Sequence, residues 1–359
     1  MQSLIKSCTV LALAVCTLLA AANFARADDK FWICVSNEHG GDVSIIDATT
    51  RKLIATIPVG KRPRGIHASP DGRTLYVALS GRPIEGPPQL DANGNPILHK
   101  DDDDDDDKKS DHSADGIGVV DLASLKLIKK LPAGTDPEQF AVSPDGLHLY
   151  TSNEDVGTIS VTRADTGKVE HIVPVAKEPE GVSFTPDGRT VYATCETNGD
   201  IFAIDVATHK VAAHFVVPGR PRNIVFLPDG SRGIVPSESS GQLSLFDTAD
   251  HKVLKTLRLP TGSRPMGLAI SANGKTLYAA TGRGGTVLVI DTSKFEVTDS
   301  IPVGKRPWGI VISPAGNELY VANGPSNDIS IVDLSTKKET ARVNCGQSPW
   351  GVAVVAAPR

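Results

Sequence analysis

The segment Lys305–Gly324, KRPWGIVISPAGNELYVANG, recurs with drift along the whole chain, and no other feature restricts the fold as strongly. Its parts, kept with drift in the other copies, are a Pro-x-Gly entry, a short apolar run, a Ser-Pro-x-Gly turn, a second apolar run centred on tyrosine and a Gly/Asn-rich loop. The turn positions Pro70, Pro144, Pro186, Pro228, Ala272 and Pro314 mark six units, spaced by 42 to 44 residues after a longer first interval. That is the period of a four-stranded propeller blade. Runs rich in Val, Ile and Tyr, bounded by Gly, Pro, Asn and Asp, read as strands rather than helices. In the seventh unit they fall at Trp308–Ser313 (A), Glu318–Ala322 (B), Asp328–Asp333 (C) and Glu339–Asn344 (D). The Ser-Pro-Asp-Gly segments at 69–72 and 143–146 are A–B turns: proline presets the second position, aspartate bonds to nearby backbone and glycine takes the left-handed conformation.

The two ends of the repeat array complement each other. Phe31–Ser36, Asp42–Asp47 and Lys52–Val59 supply strands B, C and D with no strand A before them, while residues 348–355 (SPWGVAVV) supply a strand A with nothing after it. The expected fold is therefore all-β, a seven-bladed β-propeller closed by a C-terminal strand that completes the first blade. Such closure leaves the ring no free end. One insertion breaks the rhythm, at residues 80–115 of blade 2. It carries Pro83, Pro87, Pro88, Pro96 and the Asp101–Asp107 run, and so few apolar residues that it predicts a disordered acidic loop.

Ahead of the array, Lys6, an apolar run from Cys8 to Ala22 and Ala25-Arg26-Ala27 read as a signal peptide over residues 1–27. Residues 28–359 are then a single propeller domain, exported and expected to be periplasmic, with no transmembrane segment. Removing Lys6 and Arg26 with the leader leaves 35 basic against 42 acidic residues, and the seven aspartates 101–107 account for the whole excess. A folded body that is electrically neutral argues against a nucleic-acid partner. Three cysteines remain, Cys34, Cys195 and Cys345, an odd number for an oxidising compartment. Repeat alignment places Cys34 and Cys345 at apolar strand positions and Cys195 at a loop mouth, so no disulfide is expected.

Tyr-Val-Ala-Asn at 320–323 and its variants, the Ser-Pro-Asp-Gly turns and the Val-x-x-Ile-Asp strands resemble the YVTN-type β-propeller repeat of the WD40/YVTN-like superfamily, over nearly all of residues 31–355. Gly116–Asp121, Asp136–Gln139, Glu178–Gly181, Arg264–Gly267 and Ala322–Asp328 further resemble the seven-bladed propellers associated with PQQ-dependent catabolism. That resemblance implies a non-enzymatic accessory in alcohol catabolism, without a cofactor of its own. Its partner would be a periplasmic quinoprotein dehydrogenase or a transport component. A monomer is expected.

In a propeller the D–A and B–C connections share one face, around the mouth of the central channel. The D–A ring reads Arg62 and Arg64, Asp136 and Glu138, Glu178 and Glu180, Arg220 and Arg222, Arg264 and Met266, Arg306 and Trp308, Ser348 and Trp350, while the B–C loops add Glu38, His39, Glu154, Asp155, Glu196, Glu238 and Arg283. Blades 3 and 4 look acidic, the others basic or aromatic. The plainest account is that Arg–Glu pairs across blades stabilise the rim by a few tenths of a kcal/mol each. A sharper one is a binding site of Arg62, Arg64, Arg220, Arg222, Arg264, Arg283, Arg306, Trp308 and Trp350, where guanidinium forks and an aromatic pair take a flat anionic small molecule or an acidic patch of a partner. The carboxylates of Asp136, Glu138, Glu154, Glu178, Glu180 and Glu196, chief among them Glu138, Glu154, Glu180 and Glu196, are candidate ligands for a hard cation such as Ca²⁺, although no spaced calcium loop is present. The histidines show no H-E-x-x-H pattern and the chain has no Gly-x-Ser-x-Gly elbow. The catalytic alternative is a metal-dependent lactonase-like hydrolase using the rim carboxylates.

Overall fold

The computed structural model describes residues 30–84 and 109–358. The signal-peptide segment and the Asp101–Asp107 run lie outside these residues. Seven four-stranded antiparallel sheets form the propeller, and in each the strands run A, B, C, D outward from the channel. In blade 1 the closing strand Pro349–Ala356 pairs with Phe31–Asn37, Phe31 opposite Ala356 and Val35 opposite Val352. Both termini thus contribute to one sheet, as the repeat array predicts. No helix among the described residues is long and apolar enough to cross a membrane.

The blades obey the alternation of the sequence. Strands A to C are buried between neighbouring sheets, as in the cluster of Val43, Ile45, Leu75, Val77 and Val120 that joins blades 1 and 2. The D strands lie on the outer rim and are largely exposed, for example Lys126–Leu131. The A–B turns close as expected: Gly72 and Gly146 donate back to Ser69 and Ser143 at 2.9 and 2.8 Å, with φ of 69° and 73°.

Three features of the D–A connections position the channel mouth. The residue before the proline has a positive φ in six blades, at Arg62, Asp136, Glu178, Arg220, Arg306 and Ser348. In five blades the carbonyl of this residue accepts from the first residue after strand B, as in Glu196 N–H to Glu178 O at 2.9 Å and Glu238 N–H to Arg220 O at 3.0 Å. Because the conformation repeats around the ring it is architectural, and it couples the two loops that build the mouth. Second, the register slips by one residue after the proline, between Pro137 and Phe140, Pro179 and Val182, and Pro307 and Ile310. A bulge of this kind re-aims a side chain, here the x of Pro-x-Gly.

Third, in blades 6 and 7 the residue that ends Pro-x-Gly must be glycine because of the neighbouring blade. A Cβ on Gly309 would lie 2.5 Å from the Trp350 carbonyl oxygen, and one on Gly267 2.4 Å from that of Trp308. Strand-B hydroxyls tie the same backbones together: Ser36 Oγ accepts from Gly351 N–H at 2.9 Å and donates to the Arg64 carbonyl of the next blade. Gly309→Ala is expected to destabilise the protein by about 1–3 kcal/mol, because the obstructing atoms are backbone and cannot step aside. Equilibrium denaturation reads this directly.

The insertion in blade 2 is anchored at both ends. Asp115 accepts from Gly81 N–H at 2.6 Å and from Asp136 N–H at 3.3 Å, and Lys61 pairs with Asp111 at 2.8 Å. Its return therefore lies against the D–A loop of blade 3.

Candidate functional site

The residues after the entry prolines form a ring in blade order: Trp350, Arg64, Glu138, Glu180, Arg222, Met266 and Trp308. One half of the mouth is charged, in the sequence Arg-Glu-Glu-Arg, and the other is apolar. Glutamates at equivalent first positions of the B–C loops, Glu38, Glu154, Glu196 and Glu238, stand behind this ring in blades 1, 3, 4 and 5.

The arginines do not form the open basic sector expected from the sequence. Arg64, only 2% exposed, donates to Asp136 Oδ1 at 2.5 Å, pairs with Glu138 and stands 3.8 Å from Glu154. Arg222 pairs with Glu180, with Glu196 at 2.7 Å and with Glu238. Arg220 pairs with Glu196, and Arg62 with Glu38 at 2.9 Å. Four of the nine predicted binding residues are thus engaged by carboxylates of the mouth itself. The pairs of Arg64 and Arg222 are not the weak surface bridges of the plainest account either, since both arginines and Asp136, Glu138, Glu180 and Glu196 are buried. The remaining arginines differ: Arg264 donates to the Ser239 carbonyl, Arg306 lies 4.8 Å above the Trp308 ring, and Arg283 is exposed.

The four chief candidate metal ligands are divided between the two arginines, Glu138 and Glu154 on Arg64, Glu180 and Glu196 on Arg222. Among the described residues no group of three or more His, Cys, Asp or Glu side chains is arranged to hold a metal ion. The guanidinium groups take the carboxylate oxygens that a cation would need, so this donor set does not fit Ca²⁺.

Separate partners give the carboxyl groups different proton affinities. Burial alone would raise Asp136, but the Arg64 charge, a hydrogen bond with Glu154, the Arg62 charge and the Ser80 hydroxyl hold it well below the usual carboxylate range. Glu154 is pushed the other way, up to about 8, by burial and by the Asp136 charge, against the pull of Arg64. The two carboxyl groups act on each other in opposite directions, and Glu154 is the one that holds its proton more tightly. In blade 4 burial raises Glu196 to about 7, opposed by the Arg220 charge and hydrogen bond and assisted by Glu238 and Glu178. Glu238 is lowered, since Arg222 and Arg220 outweigh its burial. Equivalent repeat positions thus carry a protonated carboxyl, a carboxyl poised near neutrality and a carboxylate. Pairs of groups driven apart in this way are the usual means of assigning acid and base.

Repeat alignment missed Arg82. It sits inside the insertion, yet its guanidinium lies 3.4 Å from Asp136, 3.9 Å from Glu154 and 3.5 Å from Asp155. Its place directly after strand B of blade 2, beside the acidic D–A loop of blade 3, was the available signal. Asp136, held by Arg64 and Ser80 and 3.4 Å from Arg82, is the centre of the charged half. Cys34, Cys195 and Cys345 are unpaired. Burial raises each thiol to about 12, and Cys195, at the loop mouth in the sequence, is fully buried, so none offers a thiolate nucleophile.

A cavity of about 350 Å³ opens at the opposite end of the channel, between the A strands of blades 2 to 5. No carboxylate or guanidinium lines it, and desolvation lowers its one titratable group, His67, to about 4.

The family model described as lactonase, 7-bladed beta-propeller, matches residues 176–344, the segment that holds blades 4 to 7 and Glu196, Arg220 and Arg222. Solved structures share the ring. A putative 6-phosphogluconolactonase from Bacteroides fragilis superposes with a TM-score of 0.70 at 18% identity, covering 91% of this chain and 98% of that one. One from Bacteroides uniformis gives 0.71 at 19%, covering 91% and 100%. Hydrazine synthase of Kuenenia stuttgartiensis gives 0.69 at 22%, covering 84% and 92%. At these identities the likeness is one of fold. Antigen Lp49 of Leptospira interrogans is 30% identical over 134 residues, 33% of this chain and 29% of that protein, so the chain spans under a third of the curated relative it matches.

These comparisons correct the expected function. The resemblance to propellers of PQQ-dependent catabolism implied a non-enzymatic accessory, whereas the matching family model is a lactonase model and lactonase-type propellers share the fold. The catalytic alternative fits better. The misreading arose because the quoted repeat motifs report blade architecture, which binding and catalytic propellers have in common.

Proposed function

We propose that the protein is a lactonase-like hydrolase whose active site is the charged half of the channel mouth. The observation that supports this best is the pair Glu154 and Glu196, the same repeat position in adjacent blades, held by different partners so that one is protonated and the other titrates near neutrality. The family match over residues 176–344 adds to it. We read the repeat as YVTN-type and place the protein outside the cytoplasm, as its leader suggests.

In this reading Glu196 accepts a proton from water as the water oxygen bonds to the lactone carbonyl carbon. The oxyanion of the tetrahedral adduct is stabilised by the Arg82 and Arg220 guanidinium groups. The bond from this carbon to the ring oxygen then breaks, and Glu154 protonates the departing alkoxide. One lactone and one water give one hydroxy acid, and the resting state returns when the proton on Glu196 passes to Glu154. Asp136, buried beneath Glu154, positions that carboxyl and keeps it protonated. No step requires a metal.

The test is hydrolysis of a lactone panel followed by pH-stat, corrected for spontaneous ring opening. The expected kcat/KM profile is a bell. It rises through about pH 7 as Glu196 loses its proton and falls through about pH 8 as Glu154 does. Folded protein that accelerates no lactone would end this reading.

A further inference from the structure

The apolar half of the mouth has no part in that proton chemistry. Met266 and Trp350 are 6% and 7% exposed, Trp308 is half-buried, and the two indole rings pack with centroids 5.4 Å apart at 59°. These three occupy the same position after the entry proline that carries arginine or glutamate in the other four blades. Architecture therefore does not require them to be apolar, and one apolar arc faces one charged arc across the channel. The Trp350 indole N–H is buried and has no hydrogen-bond partner among the described residues. A buried donor left unpaired is costly, and an aliphatic side chain would fill the position without it, so the aromatic surface is the property the position supplies. At the lip, Arg306 rides over Trp308 with no ion pair among the described residues.

We infer that this half is a substrate subsite, and that the preferred substrates are lactones with an aromatic or alkyl body rather than polyhydroxylated sugar lactones. The inference rests on the hydrolase reading above. Lactone carbonyl and ring oxygen would face Glu154, Glu196 and Arg82, while the body lies against Trp308 and Met266. Sugar hydroxyls placed there would lose water and meet a thioether and indole faces, which offer no compensating hydrogen bonds. An aromatic ring suffers no such loss and gains offset or edge contacts with the tryptophans. The arrangement separates the two tasks: one arc selects, the other reacts.

Dihydrocoumarin and glucono-δ-lactone are suitable opposed probes for the full-length protein. The wild type is expected to favour dihydrocoumarin in kcat/KM by at least about tenfold. Trp308→Ala should lower that ratio by about tenfold, mainly through KM for dihydrocoumarin, while Trp308→Phe, which keeps an aromatic face, should retain most of it. Circular dichroism and thermal melting of both variants separate loss of the subsite from loss of the fold. A second arm measures binding alone, as saturable quenching of tryptophan fluorescence by 3-(2-hydroxyphenyl)propanoate, the ring-opened product; the chain has three tryptophans, two of them at this site. Equal turnover of both lactones, or an unchanged ratio in folded Trp308→Ala, would overturn the subsite and leave the hydrolase standing. Quenching lost in Trp308→Ala and kept in Trp308→Phe, with no lactone turned over, would keep the subsite and overturn the hydrolase. Neither turnover nor quenching would overturn both.

Discussion

Arg64→Ala is expected to destabilise the protein by about 3–5 kcal/mol, the range found when one partner of a buried ion pair is removed. The guanidinium is 2% exposed and lies among Asp136, Glu138 and Glu154, and it also donates to the Pro137 carbonyl at 3.2 Å. Without it, buried carboxyl groups keep their desolvation cost and lose the charge that offset it. The effect should depend on pH with a defined sign. The folded-state pKa of Asp136 is depressed, so its contribution to stability is present above the unfolded value near 3.8 and disappears as pH falls through the folded one. The alanine variant has lost that contribution, so the gap between it and the wild type should be widest near pH 6 and narrow below about pH 4. Asp136→Asn added to Arg64→Ala should recover part of the loss, because it removes the charge left uncompensated. Urea denaturation of the single and double variants at two pH values measures all three terms. An alanine variant as stable as the wild type at pH 6 would show that the mouth tolerates unpaired carboxylates.

How much of this was legible in the sequence follows from what repetition can encode. The Ser-Pro-Asp-Gly turns, the period of the apolar runs and the complementary ends are local or translational features, and each gives the same structure wherever it occurs. Seven blades, the closing strand and the face carrying Arg64, Glu154 and Trp308 could therefore be read directly. Alignment also placed the side chains of each blade at equivalent angles around the ring. It could not tell which way a long guanidinium bends once there. Arg64 turns to blade 3 and Arg222 to blade 4, and an acidic sector facing a basic one becomes two neutralised clusters. Buried charge must be paired, and applying that requirement to Pro-x-Gly positions would have predicted the pairing. Arg82 was hidden for a different reason: its neighbours are contributed by blade 3, while its own segment has no repeat counterpart. The bulge after the proline in blades 4 and 7, which carries Glu180 and Trp308 into the mouth, leaves a pattern in the sequence, the glycine that follows, but its meaning appears only when, at Gly309, the next blade's carbonyl is found 2.5 Å from where a Cβ would be.

Glu196→Gln should reduce kcat for lactone hydrolysis by about 10²- to 10⁴-fold, the usual contribution of a positioned general base, with a much smaller change in KM. The amide keeps the size and shape of the carboxylate and its one oxygen still accepts from Arg220, so with an unchanged melting curve the loss would report proton transfer rather than collapse of the mouth. The direction in pH distinguishes this role from a structural one. In the wild type the acidic limb of the profile belongs to Glu196, raised to about 7 by burial against the Arg220 charge. The variant has no such group, so its residual activity should lose the limb near pH 7 and keep the descent near pH 8 that belongs to Glu154. Glu154→Gln should show the complementary change, losing the alkaline limb while keeping the acidic one. Stability should move little in either case, or rise, because a buried carboxyl whose folded pKa lies above its unfolded value favours folding in its protonated form. That contribution is lost as pH rises through the folded pKa, and a neutral amide does not lose it. If instead Glu196→Gln lowered kcat at every pH by one constant factor, leaving both limbs in place, Glu196 would be a positioning residue for Arg220 and Arg222. The base would then have to be sought among the other carboxylates of the mouth, beginning with Glu238, which shares Arg222 with it.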